Sequence, residues 1–148
     1  MNRILKIIAY LAIAFILSYL ANNGCREFIK MFSDNIISLL ATILAINIPT
    51  STLIISEINK IKEKLNIDPS ATFKELKYGL MTQIVVLCSL IIILIVCDFM
   101  QSKDIVPSSQ LNIISGTFVL ASFIYYLEII YDLGIALFEL INFKSNNK

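Results

Sequence analysis

Three acidic residues near the end of the chain, Glu128, Asp132 and Glu139, are separated by steps of four and seven. At about 100° per residue they share one helix face. Carboxylates ranked along an apolar segment are the groups that relay protons or cations through membrane proteins. A relay needs a carboxylate near the midplane, and the charge-free stretch Ser108–Leu127 ahead of Glu128 already suffices to cross a bilayer. The simpler expectation is a stripe that leaves the membrane and pairs with Lys60, Lys64, Lys74 or Lys77 of a neighbouring segment. A second constellation joins Asn47, Pro49, Thr50, Ser51 and Thr52 within one apolar run. Proline removes a backbone donor and kinks a helix, and in hydrocarbon the freed carbonyl needs a side chain, water or a neighbour. This cluster is a candidate hinge or pore lining. Read more plainly, its polar groups bond adjacent helices.

Other chemistry is sparsely provided. The chain has no His, the usual base near neutral pH and the commonest metal ligand. Cys25, Cys88 and Cys97 form no C-x-x-C pair, and their odd number favours packing over redox work. No catalytic residue, metal site or cofactor is expected, and the chain reads as a non-enzyme.

The elements that must position these residues follow from composition. Of 148 residues 57% are hydrophobic and 16% charged, with a formal net charge of +1, and the mean hydropathy is +0.81. Soluble domains run at roughly 45–50% apolar and about 25% charged, so an ordinary soluble domain and a disordered chain are both excluded. Near-neutral charge leaves no overall electrostatic footprint for nucleic acid, and no direct binding to it is expected. Four charge-free runs of membrane length stand out, Ile7–Cys25, Asn35–Ser56, Tyr78–Cys97 and Ser108–Leu127. Each is continuously apolar rather than alternating, which excludes barrel strands. The expected fold is all-α, an integral membrane protein with four transmembrane helices at about 7–25, 35–56, 78–97 and 108–130. The first run follows a short basic start but lacks small residues at cleavage spacing near its end, so it reads as a retained helix. Its Ala14 and Ser18, like Ala41 and Ala45 in the second, are small-xxx-small pairs that permit close helix contact.

Lys and Arg set the orientation. With the N-terminus cytoplasmic, that side carries nine, among them Lys60, Lys62, Lys64, Lys74 and Lys77 in the central segment, against three outside, Arg26, Lys30 and Lys103. The second and fourth helices are expected to extend into the cytoplasm, because Ile54, Ile58, Ile61 and Leu65 continue a helical stripe. Asp68 and Pro69 then signal a new helix, with Thr72 and Glu75 spaced as a capping box. Residues 57–77 thus form a cytoplasmic helical hairpin and 131–148 a cytoplasmic extension. The expected docking face for a soluble partner combines Lys60, Lys62, Lys64, Lys74 and Lys77 with the acidic stripe Glu128, Asp132 and Glu139. Ile58, Ile61, Leu65 and Phe73 are its apolar anchors.

This layout of four spans, inside termini, short outer loops and long cytoplasmic extensions resembles the small membrane subunit of the Kiwa anti-phage defence system. The most suggestive stretch is the second span with Ala41-Thr42-Ile43-Leu44-Ala45-Ile46-Asn47. The resemblance implies a lipid-embedded homo-oligomer of the bacterial inner membrane, a tetramer among its arrangements, that senses attack at the envelope and holds a cytoplasmic DNA-binding effector. Two other classes stay open: a small ion channel or holin-like pore, and an immunity or regulatory protein that binds a toxin or enzyme.

Overall fold

The computed structural model describes the backbone of residues 3–65 and 69–146 and the side chains of 5–25, 27–60 and 69–139. Among the described residues the chain is all helical: α1 (Arg3–Gly24), α2 (Arg26–Leu65), α3 (Ser70–Ser102) and α4 (Ser108–Asn146). At 1.5 Å per residue these are about 33, 60, 50 and 58 Å long. All four are long and apolar enough to cross a membrane.

Helix boundaries differ from the charge-free runs in instructive ways. The stretch before the second run is helical from Arg26, with only Cys25 between α1 and α2. Bonds from Cys25 N to Ala21 O (2.8 Å) and Ile29 N to Cys25 O (3.3 Å) carry backbone pairing through that junction. Pro49 sits inside α2 without ending it. α3 opens on a bond from Phe73 N to Pro69 O (3.1 Å), so Thr72 and Glu75 fall inside the helix, and the capping box expected of them does not form. The preset φ of Pro69 starts the helix one turn early. Between α3 and α4, Asp104 takes φ 53°, the left-handed conformation that Asp tolerates better than most residues.

Residues Met1–Ala41 with Val85–Tyr125 make one compact unit, and Thr42–Ile84 with Tyr126–Lys148 a second. In the first, α1 buries a stripe of small and polar residues, Ala14, Ser18 and Asn22, four apart. Ser18 Oγ donates to Ile113 O (2.9 Å) and Asn22 Nδ2 to Ser109 Oγ (3.1 Å). One index rises as the other falls, so α1 and α4 run antiparallel here. Gly116 makes the approach possible: a Cβ there would lie 2.5 Å from Ser18 Oγ and 3.5 Å from Ile29 Cγ1. Phe32 meets Phe123 edge-on at 5.2 Å between centroids, and Ile36, Leu40, Leu90 and Val119 complete the core. In the second unit Asn47, Ser51 and Ile54 of α2, Gln83 of α3, and Tyr126 and Leu133 of α4 are buried.

Gly116→Ala should therefore destabilise the first unit by about 1–3 kcal/mol, the range for forcing extra volume into a packed contact. Because the tightest contact is the Ser18 hydroxyl, Ser18→Ala combined with Gly116→Ala should recover part of the loss. Denaturation of the purified protein in mixed micelles measures both, and a double variant no more stable than the Gly116→Ala single would show that the crowding lies elsewhere.

Candidate functional site

The polar cluster of the second run divides by helical period. Asn47 and Ser51, one turn apart, are buried, while Pro49 and Thr52 are exposed and Thr50 half-buried. Thr50 Oγ1 donates to Ile46 O (2.8 Å) and Thr52 Oγ1 to Ile48 O (2.9 Å). Both hydroxyls thus return to their own helix, the usual resort of a Thr in an apolar helix. Asn47 and Ser51 face the core of the second unit, in line with Ile54.

The same unit buries a further polar residue, one with no partner in the sequence pattern. Gln83, the one side-chain amide in the run Tyr78–Cys97, is fully buried. Ser51 is 14 residues before the end of α2, and Gln83 is 13 after the start of α3. At 1.5 Å per residue both stand about 20 Å from the hairpin end, so they share a level of the unit. Tyr126, the largest fully buried side chain, donates its hydroxyl to the backbone oxygen of Gln83 at 2.7 Å. Within this core Asn47 Nδ2, Ser51 Oγ, and Gln83 Nε2 and Oε1 have no protein partner. An unsatisfied buried polar group costs about 1–3 kcal/mol, and water is its usual companion. A lone amide in an apolar run was the available signal for Gln83. Tyr125, Tyr126 and Tyr131 are spaced as an interfacial aromatic belt would be, but Tyr126 is buried in this core instead.

The expected docking residues divide as well. Lys74, Lys77, Asp132 and Glu139 are exposed and Glu128 half-buried. Lys60 is held by Glu57 of its own helix, Nζ to Oε1 2.7 Å. Ile58 and Phe73 are half-buried. With Ile54 buried one turn before Ile58, the stripe also serves the second unit's own packing, so the two anchors offer only part of their surface outward. The side chains of Ile61, Lys62, Lys64 and Leu65 lie outside the described residues.

Of the two small-xxx-small pairs, Ala14 and Ser18 are both buried, Ser18 against α4, whereas Ala41 and Ala45 are exposed. Cys25 and Cys88 are also exposed and Cys97 half-buried, so Cys88 does not do the interior packing expected of it. No known protein family, curated protein or solved structure matches this chain.

Proposed function

We propose that the chain is an integral membrane protein of the bacterial inner membrane that acts as an oligomeric scaffold, recruiting a soluble partner to its cytoplasmic face. The observation that carries the reading is the overrun of the helices: α2 and α4, at about 60 and 58 Å, exceed the roughly 30 Å hydrocarbon core. The surplus of α4 bears exposed Asp132 and Glu139, and the first turns of α3 bear Lys74 and Lys77. Membrane residence has its own support. Every described Leu, Ile and Phe of α1 is exposed, while Ala14, Ser18 and Asn22 are buried. Exposed apolar surface over small and polar contacts suits lipid rather than water. The count of nine basic residues against three supports a reading with the termini and residues 57–77 inside. The resemblance to the Kiwa membrane subunit extends the reading to anti-phage defence, with a DNA-binding effector as the partner.

Reversing Lys60, Lys62 and Lys64 to Glu should leave the protein in the membrane fraction and lower recovery of a co-expressed partner, the product of a neighbouring gene, several-fold, more so at low salt, because rim charges act chiefly through association. Unchanged recovery and unchanged cellular function would remove these lysines from the docking face. A pore is the second reading, favoured by the unpartnered atoms of Asn47, Ser51 and Gln83. Flux through liposomes that Asn47→Leu abolishes would replace the scaffold with it.

A further inference from the structure

The bond from Tyr126 to the backbone oxygen of Gln83 sets the register of α3 against α4 in the second unit. Gln83 stands 19 residues before the end of α3 and Tyr126 18 after the start of α4, so the two helices run antiparallel and residues equally far from the contact share a level. Lys77 is six residues before Gln83 and Asp132 six after Tyr126. At 1.5 Å per residue both stand about 9 Å beyond the contact, on the side of the hairpin. Lys74, at about 14 Å, falls between Asp132 and Glu139, the latter at about 20 Å.

The helical period decides which way these groups point. Gln83 and Tyr126 are fully buried and so mark the inward faces of their helices. At about 100° per residue, Lys77 is turned about 120° from Gln83 and Lys74 about 180°, while Asp132 and Glu139 are turned about 120° and about 140° from Tyr126. Viewed down the unit, the antiparallel run makes these turns go the same way on both helices, so the basic and acidic faces do not look at each other. All four side chains are exposed, and among the described residues none has an ion-pair partner.

The acidic face also carries apolar side chains in need of cover. Tyr131 and Phe138 are 67% and 71% exposed and lie about 140° and about 120° from Tyr126, beside Asp132 and Glu139. They follow the end of the charge-free run Ser108–Leu127 by four and eleven residues, about 6 and 16 Å. Outside the hydrocarbon core, exposed apolar side chains rimmed by charge mark an interaction surface.

A second copy of the chain supplies the complement. Copies inserted in one orientation are related by rotation about the membrane normal, which changes no residue's depth, so a charged face finds its partner on a neighbour only where the levels already agree. Lys77 and Asp132 meet that condition, and Lys74 reaches between the two carboxylates. A two-fold contact of like faces would instead set carboxylate against carboxylate or lysine against lysine, which repulsion disfavours. Unlike faces meeting in series make a head-to-tail interface, the kind that closes into rings.

We propose that the outward face of α3 around Lys74 and Lys77 on one copy seats against the outward face of α4 around Asp132, Phe138 and Glu139 on the next, joining copies head to tail at the cytoplasmic side of the membrane. The contact rests on the membrane placement and shared orientation proposed above, and it is what holds the scaffold's copies together. Lys60, Lys62 and Lys64 are left for the soluble partner.

The test uses the full chain in native membranes, with Cys25, Cys88 and Cys97 replaced by Ser. Two differently tagged copies are co-expressed, one with Lys77→Cys and the other with Asp132→Cys, and treated with a short bismaleimide. Cross-linked pairs of the two tags are expected, with several-fold less product when both copies carry Lys77→Cys or both carry Asp132→Cys. Native mass spectrometry from nanodiscs reads the charges: Lys74→Glu with Lys77→Glu should lower the oligomeric fraction several-fold, Asp132→Lys with Glu139→Lys likewise, and all four reversals in one chain should return it to near the wild-type level. Should either charge-reversed pair fail to accumulate, the fourfold exchange and the cysteine pair read the same contact. Failure of the mixed tags to cross-link, equal cross-linking of like variants, or an oligomer unmoved by both reversals overturns the proposal. So do reversals that lower recovery of a co-expressed soluble partner while the copies stay joined, since they assign these faces to that partner. Alkaline carbonate extraction and partner recovery are read from the same cells. A chain that resists extraction and retains its partner without cross-linking fails this contact alone, whereas a chain released by carbonate fails the membrane reading and the contact with it.

Discussion

Ile16→Lys is expected to deplete the protein from the membrane and to lower its accumulation sharply. Ile16 sits midway along the charge-free run Ile7–Cys25 and is 58% exposed on the surface of the chain. In water, a lysine at an exposed helix position changes stability by no more than about 0.5 kcal/mol, and it would make the surface more soluble. At the centre of a bilayer the same ammonium costs about 2.5–3.5 kcal/mol by insertion scales, and nine residues separate it from either end of the run, too far for an easy escape to the interface. The two environments therefore predict opposite signs for one substitution. Membrane fractionation and an insertion-reporter assay on α1 read the result, with Ile16→Leu as the neutral comparison. A variant that folds, stays abundant and needs no detergent would show that these helices live in water, and would remove the membrane placement on which the scaffold reading stands.

Tyr126→Ala should unfold the second unit first. Tyr126 is completely buried, and removing a large aromatic side chain from a packed core costs about 3–5 kcal/mol, transfer and cavity terms together. The hydroxyl is a smaller share: its bond to Gln83 O is 2.7 Å, and one such bond contributes about 0.5–1.5 kcal/mol net. Tyr126→Phe should therefore lose only about a quarter as much as Tyr126→Ala. Reversible denaturation in mixed micelles gives both values. If Tyr126→Phe costs as much as Tyr126→Ala, the polar contact with α3 rather than ring packing holds this unit.

The four helices were legible in the chain because their signal is local and repeated. A charge-free run of about 20 residues needs no knowledge of its neighbours to be read as a helix, and the continued stripe through Ile58 foretold that α2 outruns its apolar segment. Even the buried seam of α1 was foreshadowed by Ala14 and Ser18, since small residues four apart permit close approach. The same pattern at Ala41 and Ala45 is left exposed, and nothing in the spacing separates the two cases. A periodic pattern gives the angle between residues on one helix, whereas burial depends on which faces of other helices arrive opposite. That is why Pro49 and Thr52 could be grouped with Asn47 and Ser51 in the chain yet stand on another face in the fold. It is also why Gln83 and Tyr126, 43 residues apart, became one contact only when α3 and α4 packed. A cavity lined by Asp34 and Asp98 is the extreme case: those carboxylates are 64 positions apart, and only the packing of four helices gives them a shared cavity.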